Sequence, residues 1–223
     1  MRRPYRGRDP RPAALSSVIL GEIARACDFW GAELSVAGLV LAAGGGRRYG
    51  GPKALVRFEG SLLVERAVAT VRAGGCSPIV VVLGAAAAEV RESARLGDVM
   101  LVENAGWKSG MGSSVRVGLG VLAETDADAA IVLLVDTPGV TAVAVRRIAD
   151  KAGRDALVAA TYGPRRGHPV LLGREHWAGV AMLASADVGA RAYLAAHATE
   201  VQTVACEDVA DDADMDVPVA ESS

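Results

Sequence analysis

From Val36 onward, short apolar runs alternate with longer segments in which apolar residues return every three or four positions. The short runs are rich in Val, Leu and Ile. They predict strands near Val36–Leu41, Ile79–Leu83, Val99–Val102, Ile131–Val135, Ala156–Thr161 and Val201–Val204. The segments between predict helices near Leu62–Ala73, Ala86–Arg95, Ser114–Ala123, Ala142–Ala152, Glu175–Ala184 and Gly189–His197. Strand and helix taking turns in this order imply right-handed crossovers and a mostly parallel sheet, an α/β fold. Ahead of it, Leu15, Val18, Ile19 and Ile23 recur at helical spacing behind an Arg- and Pro-rich start. This predicts an amphipathic helix in an N-terminal extension, residues 1–35, before a domain of residues 36–223.

Composition sharpens the picture. Hydrophobic residues make up 51% of the 223-residue chain but aromatic ones only 4%, so the interior is built from Val, Leu and Ala. That suits parallel strands covered on both faces by small-residue helices. With 24 basic and 26 acidic side chains there is no global field to gather nucleic acid or an anionic membrane, so any anion site must be local. Cys27, Cys76 and Cys206 lie far apart without CxxC spacing, which indicates neither a disulfide framework nor a zinc site and suits a reducing cytoplasm. Glu22 and Arg25 interrupt what would be the apolar core of a signal peptide, and no segment reaches the roughly 20 apolar residues of a membrane span. A soluble, cytoplasmic protein is expected.

Open sheets of this kind bind ligands beyond the carboxyl ends of their strands. Four such ends carry unusual chemistry: the glycine-rich loop after the first strand, Asn104 to Ser114, Asp136, and Gly167-His168-Pro169. The first reads LVLAAGGGRRYGGPKAL from Leu39 to Leu55. A Walker loop is excluded, because Pro52 precedes Lys53 and Ala54 follows where a magnesium-binding hydroxyl belongs. A dinucleotide fingerprint starting at Gly44 needs glycine where Tyr49 stands, and Glu59 alone offers itself as the ribose-binding acid. What remains is a loop whose backbone N–H groups can approach an anion closely, with Arg47, Arg48 and Lys53 as fixed charge around it. The plainer alternative is a solvated turn whose glycines satisfy positive φ and whose arginines face water.

The string LAAGGGRRYGGPKAL resembles the L-A-A-G-x-x-x-R-x-G-x-x-K signature of the nucleotidyltransferases that attach a nucleotide to molybdopterin. The resemblance runs from about Ala37 to Asp216. It implies a three-layer, Rossmann-like domain of the nucleotide-diphospho-sugar transferase type. By it, the backbone near Ala42, Ala43 and Gly44 reads the base. The amides of Gly45 and Gly46, with Arg48, hold the triphosphate, Arg47 belongs to the same nucleotide-binding set, and Lys53 stabilises the transition state. Ala43 follows the cytidylyl pattern Ala-Ala-Gly rather than Ala-Gly-Gly, which favours CTP.

The same resemblance makes Asp136 a Mg2+ ligand, where the alternative is a local cap of the Thr137-Pro138 turn. Asp214 and Asp216 in DADMDVP resemble the late Asp-x-Asp-Thr-Pro-x-Asp, with Asp216 a further metal ligand, although Val217 replaces Thr and an acidic tail can be merely solvated. Gly110, Met111, Ser113 and Ser114 match the stretch lining the cleft; Trp107 is read first as packing, and a Ser N-cap is the alternative for the helix start. His168 matches the acceptor-side Gly-His-Pro, where a structural hydrogen bond is the alternative. Asp187 and Arg191 match Gly-Asp-x-Gly-Ala-Arg apart from Ala186, with a helix N-cap by Asp187 the alternative.

The expected activity is Mg2+-dependent transfer of a nucleotide, CMP favoured, from a nucleoside triphosphate to a phosphorylated acceptor such as molybdopterin, releasing diphosphate. A molybdoenzyme is a possible partner. A different class stays open: the chain also resembles nicotine blue oxidoreductases, which would use NAD(P)H on the same scaffold, since fold does not determine chemistry. A non-catalytic nucleotide sensor is a third reading.

Overall fold

The computed structural model describes residues 34–47 and 49–215, all within the unit Leu34–Ser223. The expected N-terminal helix, Arg48 and Asp216 lie outside the described residues.

The interior strand β1, Val36–Ala42, pairs in parallel with β4, Ile79–Leu83, on one side and β6, Ala129–Leu134, on the other. Outside β4 lies β5, Met100–Glu103, also parallel. Each crossover carries a helix: α1 (Leu63–Ala73) between β1 and β4, α2 (Ala87–Ser93) between β4 and β5, and α3 (Met111–Ala123) between β5 and β6. Beyond β6 come α4 (Ala142–Ala149), β7 (Leu157–Tyr162), β8 (Arg165–Gly173), α5 (Trp177–Leu183), α6 (Arg191–Ala196) and β9 (Gln202–Ala205). Among the described residues the main sheet has the order β5-β4-β1-β6-β8-β7-β9, and β2 (Arg57–Phe58) and β3 (Ser61–Leu62) form a separate small hairpin.

The six expected strands and six expected helices all form, with ends displaced by a few residues; α3 starts at Met111 rather than Ser114. The small hairpin lies outside the expected strands, and β8 adds Arg165–His168 ahead of the strand that the sequence places after His168. β8 lies antiparallel between β6 and β7 and is the exception in an otherwise parallel sheet. Its sequence RRGHPVLLG begins with charge, glycine and proline, which reads as a loop. The register against β7 jumps from Ala159↔Val170 to Ala160↔Gly167, so His168 and Pro169 sit in a bulge. A bulge is where a ladder tolerates a residue without an N–H.

The period of two in each strand divides the core into two layers. Val40, Val81, Ile131 and Leu133 face α1 and α4, meeting Val64, Val68, Val71, Val145 and Ile148. Leu39, Val80, Val82 and Val132 face the other side, meeting Leu119, Leu122, Trp177 and Val180. Each such side chain, fully buried, contributes about 1.5–3 kcal/mol of transfer free energy. Gly118 lets α3 lie close on the sheet, because a Cβ there would stand 2.3 Å from Leu39 Cδ1.

Candidate active site

Because β1, β4, β5 and β6 run parallel, the segments that leave their carboxyl ends share one edge of the sheet. The glycine-rich loop follows β1 there. Gly46 has φ +57°, and a Cβ on it would stand 1.8 Å from the Gly51 carbonyl oxygen, so only glycine fits. Its own carbonyl accepts from the N–H groups of Gly50 at 2.9 Å and Gly51 at 3.2 Å, which curls the loop back on itself. Among the described residues nothing accepts from the amides of Gly44, Gly45 or Gly46. One backbone group expected to read the base is already engaged: the Ala43 carbonyl accepts from Ala85 N–H at 3.1 Å. Ala42 closes β1, and Arg47 lies exposed in the turn.

Lys53 opens a one-turn helix, Lys53–Leu55, behind Pro52. Its Nζ donates to Asp136 Oδ2 at 2.8 Å, with the side chains 13% and 23% exposed. Residues 83 positions apart thus tie the first loop to the end of β6. At an effective dielectric of about 20, charges 2.8 Å apart attract by about 6 kcal/mol before the opposing cost of desolvating both.

The segment after β5 is organised by Asn104, which the residue pattern did not single out. It is 4% exposed. Its Nδ2 donates to Ser113 Oγ at 2.7 Å and Ser114 Oγ at 3.0 Å, while its Oδ1 accepts from Gly106 N–H at 3.0 Å. Ser113 and Ser114, expected at the cleft, therefore turn their hydroxyls into this buried network. Gly110, at φ +105°, abuts Ala186 and Asp187; a Cβ there would lie 2.3 Å from the Ala186 carbonyl carbon. The Trp107 ring covers Gly45, whose Cβ position is 3.0 Å from the ring edge.

At β6 and β8 lies a cavity of about 270 Å3, lined by Leu41, Met111, Val132, His168 and Arg191 among others. The bulge in β8 delivers His168 to it. His168 Nδ1 lies 3.2 Å from the Val132 carbonyl, which can only accept, so Nδ1 carries the proton and Nε2 is left as a lone-pair acceptor. Burial pulls the His168 pKa below its ordinary value, outweighing the Val132 bond and the fields of Asp136, Asp212 and Asp214. The ring is neutral near pH 7.

A strap after β9 crosses these strand ends. Asp211 N–H donates to Gly139 O at 3.1 Å and Met215 N–H to Asp136 O at 2.9 Å. Between them Arg165 grips the 4%-exposed Asp212 with two bonds, Nη1 to Oδ2 at 3.1 Å and Nη2 to Oδ1 at 2.6 Å. Asp214 joins the cavity lining. This Arg165–Asp212 clasp also went unnoticed in the sequence, because its members are 47 residues apart in unremarkable contexts.

Of the expected metal ligands, Asp136 is described and Asp216 is not. No group of three or more His, Cys, Asp or Glu poised to hold a metal occurs among the described residues. A lone hard-oxygen carboxylate nonetheless suits Mg2+, which commonly takes one or two carboxylates and fills its remaining positions with water and substrate phosphate.

A family model for the MobA-like NTP transferase domain matches residues 38–201. The chain belongs to that family. The chain is similar to a nicotine blue oxidoreductase of Paenarthrobacter nicotinovorans, 38% identical over 81% of the chain and 92% of the relative. It is also similar to a probable molybdenum cofactor guanylyltransferase of Opitutus terrae, 36% identical over 48% of the chain and 51% of the relative. In structure it is similar to Rv0371c of Mycobacterium tuberculosis, with TM-score 0.68, 27% identity, and 78% and 89% of the two chains covered. A manganese complex of that protein aligns with TM-score 0.64 and 26% identity, covering 85% and 94%. The MobA-like match includes the glycine loop, Asp136, His168 and Arg165; the strap that carries Asp212 lies beyond it. Among the described residues, no helix is long and apolar enough to cross a membrane.

Proposed function

We propose that this protein is a Mg2+-dependent nucleotidyltransferase. It transfers a nucleotide, CMP favoured, from a nucleoside triphosphate to a small phosphorylated acceptor and releases diphosphate. The ion pair between Lys53 and Asp136, 2.8 Å long, supports the reading most directly, because it sets a fixed cation and a hard-oxygen carboxylate beside the glycine loop. The amides of Gly45 and Gly46, with Arg47 and Arg48, cradle the triphosphate. Lys53 faces the charge that develops as diphosphate leaves, and no protein nucleophile is needed. Asp136, with Asp216, would hold Mg2+, which when bound neutralises the phosphate oxygens. The manganese complex of a similar protein is consistent with this. The acceptor enters from the cavity at His168; molybdopterin is the acceptor supplied by the family resemblance. Ala43 supports CTP, whereas the name of the Opitutus relative points to GTP.

Titrating the protein with CTP, GTP, ATP and NADPH, with and without magnesium, tests this. Tight, metal-dependent triphosphate binding is expected, with CTP preferred; binding that ignores magnesium, or no triphosphate binding, would defeat it. A second reading rests on the Paenarthrobacter relative, similar along nearly its whole length and called an oxidoreductase. Steady NADPH oxidation with a quinonoid acceptor that survives Asp136→Ala would favour it.

A further inference from the structure

The cavity at His168 is unevenly furnished. Its apolar surface comes from Leu41, Val132, Leu134 and Val170, with Met111 and Leu194 contributing from the neighbouring helices. Most polar groups that reach it are already satisfied. Arg165 and Asp212 are committed to each other through two hydrogen bonds, and His168 Nδ1 is committed to the Val132 carbonyl. Besides the Asp214 carboxylate, what the lining has to offer a ligand is therefore the His168 Nε2 lone pair and the exposed guanidinium groups of Arg166 and Arg191. None of these three has a hydrogen-bond or ion-pair partner among the described residues. Asp214 is exposed in the same lining, so with Arg165 and Asp212 cancelling, two cations face one carboxylate and the mouth favours an anion.

We propose that this cavity takes an apolar fused-ring compound bearing one acidic group, in preference to a ring edged with hydrogen-bonding nitrogens and oxygens. A pterin brings several donors and acceptors around its rim. Buried here, those left over once His168, the two guanidinium groups and the Asp214 carboxylate are paired would lose water without gaining a partner, and each unpaired polar atom penalises binding. A hydrocarbon ring loses nothing of that kind and gains from burial against Leu134, Val170 and Leu194. Its acidic group meets Arg166 and Arg191, whose planar guanidinium groups match a carboxylate or phosphate. The inference rests on the reading above only in taking this cavity as the second-substrate pocket, and it departs from the pterin acceptor that the resemblance supplies.

The test uses two probes of the same bicyclic size and single carboxylate, 2-naphthoate and pterin-6-carboxylate, titrated calorimetrically into the full chain with and without CTP and magnesium. 2-Naphthoate is expected to bind at least tenfold more tightly. Leu194→Gln should weaken it tenfold or more, and Arg191→Gln severalfold with a flatter salt dependence, while circular dichroism shows both variants folded. Equal or tighter binding of pterin-6-carboxylate overturns the proposal. So does 2-naphthoate affinity unchanged in both folded variants. Retained 2-naphthoate selectivity without any triphosphate binding would sink the transferase reading and leave the cavity assignment standing.

Discussion

Replacing either member of the Lys53–Asp136 pair separates the pair's contribution to folding from its contribution to chemistry. The pair is short and mostly shielded, 2.8 Å with 13% and 23% side-chain exposure. Its gross attraction of about 6 kcal/mol at an effective dielectric of about 20 is largely offset by desolvation. Removing one partner from a fully buried pair costs about 3–5 kcal/mol. Here the survivor can recruit water from the cleft, so Lys53→Met or Asp136→Asn should each lower stability by about 1–2 kcal/mol. In a domain of this size that moves the melting temperature down by roughly 2–8 °C. Loss of one preorganised electrostatic stabiliser removes about 10²–10³ in turnover, equivalent to about 2.7–4 kcal/mol. The catalytic deficit should therefore exceed the stability deficit in both single variants. The double variant should be little slower than either single one, because residues acting as a unit are non-additive. The assay is diphosphate release at saturating triphosphate and magnesium, alongside thermal melts. Either single variant retaining turnover within about threefold of the parent would refute the reasoning.

Three further outcomes follow from the geometry. Arg165→Ala leaves Asp212, only 4% exposed, without its guanidinium, so it should lower the midpoint in denaturant melts, and Arg165→Ala with Asp212→Asn should recover part of the loss. His168 has a folded pKa depressed by burial below 6.5. The unfolded chain thus takes up the proton more readily, and the stability this group confers is complete above about pH 6.5 and falls as pH drops through the folded value; His168→Gln should remove that part of the acid slope in melts between pH 7 and 5. Gly118→Val, forced against Leu39 Cδ1 at 2.3 Å, should destabilise by about 1–3 kcal/mol, whereas Gly120→Ala, with nothing within 4 Å of its Cβ position, should be neutral or slightly stabilising.

Much of the site was legible because its residues sit where strand ends must bring them. An apolar run ending in consecutive glycines, and another ending in Asp136, can only place loop and carboxylate on one edge once the strands are parallel. Ser113 and Ser114 could not be placed that way. Being small and polar they suited either a cleft or a buried network, and only the position of Asn104 decided for the network. The first half of β8 escaped because its opening RRGHP violates strand composition, and the bulge that excuses the violation exists only through pairing with β7.

The periodicity of this chain, by itself, determined an α/β sheet with helices in the crossovers, since a strand apolar on both faces has no other way to bury itself. Local residue chemistry likewise determined the glycine loop that follows β1. The tertiary structure alone decided that Lys53 meets Asp136, that Arg165 locks Asp212, and that a mostly apolar cavity opens beside them. Those are contacts between residues 83 and 47 positions apart. No local pattern encodes such distances, because the free energy that holds them is shared across the whole packed sheet.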